Sequence, residues 1–403
     1  MFKTAEGSTG RLLQLCVGYF TFYVMTGVAV KYFLAEPGDG FPGMNGVQYL
    51  VYSTLGSAGV VLGVVLGLRW YRMESHRLVT WGPLCFPSEY LYIVPSGVCT
   101  AIVIPTTTLM YTLPISVMVA MVIMRGAIIV VSRVVDAVQI RLGLLQKRVY
   151  REENIAVVFA LLAVGAKIVW TPSIVNPLAD ALERLGLEAA ARLRLDVSAG
   201  DNFEFLRSRA AVGILGSYVI AYAIRIYIMN FYKNTRARGE QLNNRAFFSV
   251  EQLSASATLL LVILLLLALP QRLGWHTAQI GQFQEAFASA HPQWKWAAVS
   301  GIPFGILAFF SVFIFMFKGR TATFAGLVNR LTSLIAGTTA TLLFHYLFGG
   351  RFPEFADWLA LLFILVAVAF LTQAERKRRV ELVATEEEGI GGVPESARRR
   401  ASA

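Results

Sequence analysis

Two arginines sit in surroundings that should repel them. The segment "PISVMVAMVIMRGAIIVVSRVVDA", residues 114–137, carries Arg125 behind a run of only apolar or small residues, and "TFAGLVNRLTSLIAG" carries Arg330 in a similar setting. A guanidinium keeps its charge at any ordinary pH and presents a planar fork of donors. The chemistry it suits is holding a phosphate or carboxylate rather than moving a proton. At helical spacing Met118, Met121, Arg125, Ser132 and Asp136 share one stripe, with Ser116 opposite; Thr323, Gly326, Arg330, Ser333 and Thr341 share another. Hydroxyls and adaptable methionines around two fixed forks could cradle an anion. Two readings stand at this point. Either the arginines meet a substrate anion, or they serve as structural partners of freed carbonyls or a carboxylate, Asp136 being too far along the helix for easy pairing with Arg125.

Other chemistries lack their residues. Cys16, Cys85 and Cys99 have no CxxC spacing, and His76, His276, His291 and His345 are scattered without an HExxH pair, so neither a disulfide framework nor a metal centre is indicated. There is no Walker lysine loop, no nucleophile elbow and no carboxylate cluster. The chain is therefore expected not to be an enzyme and to need no cofactor. Glu251 and Asp136 fall near span ends rather than in their middles, which disfavours a proton-driven cation exporter.

The elements that must position the arginines are membrane helices. Of 403 residues 56% are hydrophobic and 15% charged, with a mean hydropathy of +0.58. Apolar runs of span length cover 12–34, 45–69, 89–113, 114–136, 153–171, 209–231, 249–270, 297–317, 321–348 and 356–375. The net charge of +11 falls in short clusters between these runs, which marks cytoplasmic loops and argues against nucleic acid as a partner. Alternate loops carry Arg69, Arg72 and Arg77, then Arg141, Lys147, Arg148 and Arg151, then Lys233, Arg236, Arg238 and Arg245, and a terminal "ERKRR". Both termini are thus expected in the cytoplasm, with the bilayer of a bacterial inner (plasma) membrane as the solvent. The first run exceeds a signal-peptide core and lacks a small-residue cleavage site, so it reads as an uncleaved span.

Arg125 and Arg330 are 205 residues apart, and the same shift lays spans two to five onto spans seven to ten. Five is odd, so the second copy would enter the membrane from the opposite side. The expected fold is all-α integral membrane, ten transmembrane helices as two inverted five-helix repeats: residues 1–171, then 209–375. Between them lies an external insertion, 172–208, with an amphipathic helix over 174–195, and a basic, disordered cytoplasmic tail over 376–403 follows. Each arginine lies about ten residues into its span, roughly 15 Å deep in a core about 30 Å thick, too deep for snorkelling. Lys31, Lys167, Arg133 and Arg225 lie nearer span ends and read as snorkelling side chains. Pro95 and Pro105 with Ser96 and Thr100 in the third span, answered by Ser300, Gly301, Pro303 and Gly305 in the eighth, read either as cavity walls or as ordinary kinks. Gly56, Gly59, Gly63 and Gly67 form a stripe suited to helix packing.

These features resemble the drug/metabolite transporter superfamily, and within it the nucleotide-sugar and triose-phosphate transporter branch. "LMYTLPISVMVAMVIMRGAIIVVSR" is similar to that branch's fourth span, where an aromatic–Thr pair precedes a Ser-containing helix start and a Met-x-Arg-Gly-like centre. "FAGLVNRLTSLIAG" resembles its ninth span, and the likeness covers most of residues 12–375. It implies an alternating-access carrier exchanging a phosphorylated or nucleotide-linked solute. By that resemblance Arg125 and Arg330 would be substrate contacts, with Thr106, Thr107, Thr108 and Ser300 lining the cavity; Met121, Ser132 and Ser333, from the helix faces, and Asn329 beside Arg330 complete the expected site. The chain departs from the pattern in its 172–208 insertion and in having Asn329, not a second basic residue, beside Arg330. The expected partners are a small anionic solute, the lipid bilayer and, as an open alternative, a second copy in a homodimer. An exporter of neutral or amphipathic compounds, or a membrane-embedded enzyme or lipid-handling protein, remains the competing reading.

Overall fold

The structure is a computed structural model that describes residues 8–36, 40–72, 78–111, 117–145, 150–170, 172–186, 209–235, 243–274, 277–317, 320–350, 352–353 and 355–391. Over the described residues, each predicted apolar run is mainly helical. The first two become α1 (Thr9–Leu34) and α2 (Gly46–Gly67), each opened by a polar cap: Ser8 Oγ accepts from Arg11 N at 3.3 Å and Asn45 Oδ1 from Gln48 N at 2.8 Å. Then come α3 (Tyr90–Tyr111), α4 (Val117–Arg141) and α5 (Arg151–Val169). After α6 (Pro172–Arg184) follow α7 (Arg209–Asn234), α8 (Asn244–Ala268) and the short α9 (Pro270–Leu273) and α10 (Ala278–Ala288). The eighth run is broken at Gly301 into α11 (Trp294–Ser300) and α12 (Ile302–Phe315), and the chain ends with α13 (Ala322–Phe348) and α14 (Phe355–Gly391).

Among the described residues, eight helical stretches are long and apolar enough to cross a membrane: α1, α2, α3, α7, α8, α11 with α12, α13 and α14. The molecule is an all-α integral membrane protein. The outward face of α8 shows what surrounds it, for Leu260, Leu261 and Leu264 stand more than half exposed without any protein partner to cover them. Inside, α3 packs between α7 and α8, α1 against α12 and α13, α2 against α11 and α12, and α4 against α5, α7 and α13, while α5 and α14 pair along their lengths. One core gathers around Ile93, Ile128, Ile226, Tyr232 and Phe248, and a second around Ala160, Ile129, Leu327 and Ala367.

Several local features differ from expectation. A loop between α2 and α3 forms a hairpin of β1 (Leu78–Trp81) and β2 (Leu84–Pro87), turned through Gly82 at φ 62°; the "WGPL" turn and the short β-favouring runs beside it were the available signal. Gly56 does pack closely, since a Cβ there would overlap the Ala298 carbonyl of α11, but Gly59, Gly63 and Gly67 face open space, so the stripe is only partly a packing surface. The amphipathic helix ends earlier than expected: α6 buries Val175 and Ala179 and exposes Leu178, while 187–208 lie outside the described residues. Beyond the expected span end at 375, α14 runs on to Gly391 through a stretch rich in Arg, Lys and Glu, which favour helix. The tight turn expected between α3 and α4 lies outside the described residues.

Candidate functional site

The two arginines are brought to one place. Arg125 and Arg330 each stand eight residues after the first residue of their helices, Val117 and Ala322, and both line a chamber of about 160 Å³ between the helices. Both are buried, at 4% and 7% exposure. The helices that carry them cross closely, because Gly326 of α13 lets Ser132 of α4 approach where any Cβ would collide.

Each arginine lies on a tyrosine. The Arg125 guanidinium donates to the Tyr23 hydroxyl and sits 5.1 Å from that ring's centroid. The Arg330 guanidinium sits 4.9 Å from the centroid of Tyr222. These tyrosines end two i, i+4 pairs, Tyr19–Tyr23 on α1 and Tyr218–Tyr222 on α7, with centroids 5.6 and 5.1 Å apart. Contact with an aromatic face stabilises a desolvated guanidinium without neutralising it. The two sites then diverge. Among the described residues, Nε and Nη2 of Arg330 are buried and have no hydrogen-bond partner. A buried, charged donor in that state is expensive, and one that faces a chamber is free to take an acceptor there.

Arg225 was expected to snorkel and does not. It is 6% exposed, lines the same chamber and makes a two-pronged ion pair with Glu251, Nε to Oε1 at 2.8 Å and Nη2 to Oε2 at 3.0 Å. Lys31 is likewise not free at a span end: its ammonium donates to Thr341 Oγ1 at 2.8 Å and lies 6.0 Å from the Phe344 centroid. Asp136 is indeed remote from Arg125; it accepts from the backbone N–H groups of Ala322 and Thr323 at 2.8 and 2.6 Å, capping α13.

The remaining expected contacts separate into three groups. Thr107 lines the chamber, and Asn329 adjoins it through Tyr19 and Ser311, accepting from the first at 3.3 Å and donating to the second at 3.1 Å. Ser300 lines not the chamber but a vestibule of about 510 Å³, where it meets Tyr49 Oη at 3.1 Å. Thr106, Ser132 and Ser333 stand apart: their hydroxyls donate to carbonyls of their own helices, Ile102 or Val103, Ile128 and Arg330, and they line neither space. The side chains of Met121, Thr108 and Lys167 lie outside the described set. The chamber and vestibule share Tyr23, Thr54, Ile104, Thr107 and Phe304 as a common wall. The vestibule's other walls include Leu34, Met44 and Gln279, so it lies toward the end of the bundle away from the chain termini.

The residues that sequence reasoning missed are Tyr19, Tyr23, Tyr218, Tyr222 and Glu251. The Tyr-x-x-x-Tyr spacing that occurs in both α1 and α7 was the signal that could have found the tyrosines.

No family model matches the chain, and no curated protein matches it. Among solved structures it is similar to one described only as "Crystal structure of protein", with a TM-score of 0.51 and 15% identity over 92% of this chain and 99% of the other. Likeness at that identity speaks to the fold alone.

Proposed function

We propose that the chain is a secondary carrier that moves a small anionic metabolite, phosphorylated or nucleotide-linked, by alternating access. The observation that carries this reading is the pair of unpartnered donors on Arg330, buried in the wall of a chamber that Arg125 also lines. Two guanidinium forks and a ring of tyrosine hydroxyls suit a dianion, and helix-bound groups hold that geometry before the anion arrives.

The ten-helix inverted repeat belongs to the same reading. It is supported by the equal depth of the two arginines in α4 and α13 and by the matching tyrosine pairs of α1 and α7. Packing supports it too. Exchanging α1 with α7, α2 with α8, α3 with α12, α4 with α13 and α5 with α14 turns the observed neighbours into one another: α1 on α12 and α13 becomes α7 on α3 and α4. A midplane site between two such halves is where a carrier holds its solute. With the basic loops in the cytoplasm, the vestibule opens to the outside.

Uptake into proteoliposomes, screened over phosphorylated and nucleotide-linked solutes, tests the reading. Arg125→Ala and Arg330→Ala should each reduce uptake about a hundredfold, equivalent to about 3 kcal/mol, with the purified protein still monodisperse. Normal uptake by either folded variant would sink the anion site.

A further inference from the structure

A second charged assembly, Arg225 of the chamber wall with Glu251 behind it, points to the coupling ion, an inference that rests on the anion-carrier reading. Glu251 has 0% exposure, and besides the two bonds from Arg225 it accepts one from Ser96 Oγ at 2.6 Å. Arg225 reaches the other way as well. Its Cζ is 5.8 Å from the centroid of Tyr222, the ring on which Arg330 also lies. One line of contacts therefore runs from the buried carboxylate through Arg225 and Tyr222 to the unpartnered donors of Arg330.

Stability does not call for this pair, since well-packed apolar residues often serve a core as well or better. Charges buried within a membrane bundle usually mark an ion or proton path. We propose that Glu251 is a proton-binding site coupled to the anion site, so that a proton is carried together with the anion. An anion in the chamber attracts the Arg225 guanidinium and competes with Glu251 for it. A buried carboxylate that loses its counter-charge accepts a proton. The proton comes from water and forms one O–H bond on Glu251. The neutral carboxyl keeps its contact with Ser96, and Arg225 turns its donors to the anion. Linkage is reciprocal: the factor by which the proton strengthens anion binding is the factor by which the anion strengthens proton binding.

The groups that face Glu251 favour this arrangement. From α7 come Arg225 and Tyr222, and from α3 Ser96 and Cys99. Of the other helices packed on α8, α12 has no acid or base, and α2 has only Tyr49 and Tyr52. Arg272 of α9 and Glu285 of α10 sit toward the opposite end of α8 from Glu251. Among these groups Glu251 is the carboxylate adjoining Arg225.

The test is calorimetric titration of sulfate, which stays a dianion throughout, into the full chain in detergent. It is run at mildly acidic pH in two buffers of different ionisation enthalpy, and again at alkaline pH. The wild type should take up about one proton per sulfate and Glu251→Gln about none, with Glu251→Gln binding sulfate roughly tenfold tighter than wild type at alkaline pH. Wild type that binds sulfate without proton uptake, or Glu251→Gln that takes up as many protons as wild type, overturns the coupling and leaves the anion site standing. Failure of the wild type to bind sulfate at either pH overturns both. Should Glu251→Gln not fold, Ser96→Ala retains both charges but removes a donor to the ionised carboxylate. Its proton uptake should begin at more alkaline pH than wild type, and an unchanged onset counts against the proposal.

Discussion

The two ends of the bundle are held by different forces. At the end that carries the termini, buried polar groups tie neighbouring helices together. Asp136 of α4 caps α13 and accepts from Asn230 of α7 at 3.3 Å, Asn230 donates to Gln139 at 2.6 Å, and Lys233 donates to the Phe315 carbonyl at 3.1 Å. Glu375 of α14 joins Arg320, at the head of α13, and Thr9 of α1. At the vestibule end the ties are tyrosine hydroxyls, Tyr49 with Ser300 and Tyr52 with the Ala286 carbonyl at 2.9 Å, the glycine contacts of α2 with α11 and α12, and one cation, Lys31, which donates to the Thr341 hydroxyl. In the proposed carrier this difference would bear on the transport cycle. To open the termini end, charged and amide groups must lose partners while still desolvated; at the vestibule end the surfaces that move are apolar and hydroxyl apart from the Lys31 ammonium. The barrier to opening the termini end should therefore reside in a few nameable side chains.

The comparison can be broken most directly at Glu375. The Arg320 and Glu375 side chains are only 2% and 9% exposed, so Glu375→Ala leaves a buried cation without its carboxylate and should lower stability by about 4 kcal/mol. Thermal unfolding in detergent reads the loss. Asp136→Ala comes next, at about 3 kcal/mol, because two N–H groups at the start of α13 and the Asn230 amide lose an acceptor. It should also speed thiol labelling of a cysteine placed in the chamber when the reagent is added from the termini side. Unchanged labelling would mean that the polar network does not close this end.

The vestibule end should answer to shape. A Cβ on Gly301 would run into the Ser53 carbonyl, which is backbone and cannot rotate aside, so Gly301→Ala should cost about 2 kcal/mol by forcing α2 from the α11–α12 break. Tyr49→Phe removes one hydroxyl bond to Ser300, which still donates to the Ala297 carbonyl at 2.8 Å, and should cost about 1 kcal/mol in the same unfolding assay. Because Tyr49 lines the vestibule and not the chamber, sulfate affinity should be unchanged.

The same contrast explains what could be read from the residues in order. Helix positions follow from hydropathy along one chain, and the matched placing of Arg125 and Arg330, each eight residues after the first residue of α4 and α13, follows from spacing. Arg225 was misjudged because distance from a span end says nothing about Glu251 on another helix; pairing of that kind is tertiary. Thr106, Ser132 and Ser333 looked available for a ligand, yet a hydroxyl inside an apolar helix has its own carbonyl three or four residues back as the nearest acceptor. Asp136 was understood only negatively, as too far from Arg125. Its role as a cap on α13 depends on a helix that begins 186 residues later.

The smallest expected effect sharpens the comparison by showing that charge alone is not what holds the termini end. Lys377 also lies there, two residues beyond Glu375, and donates to Glu152 at the start of α5, but its side chain is 60% exposed. It holds the Glu152 carboxyl below the usual carboxylate range, chiefly through that hydrogen bond. The sign of the linkage follows: any contribution from the pair is present at neutral pH and fades as the pH falls through the lowered value. Water screens the two charges and the long lysine chain gives up rotamer freedom to meet its partner, so the contribution itself is small. Lys377→Ala should leave the unfolding midpoint at neutral pH within error of wild type and labelling of a chamber cysteine unchanged, against the large losses expected for Glu375→Ala two residues away. A Lys377→Ala loss comparable to that of Glu375→Ala would mean that exposed and buried ties count alike, and that desolvation is not what distinguishes the two ends.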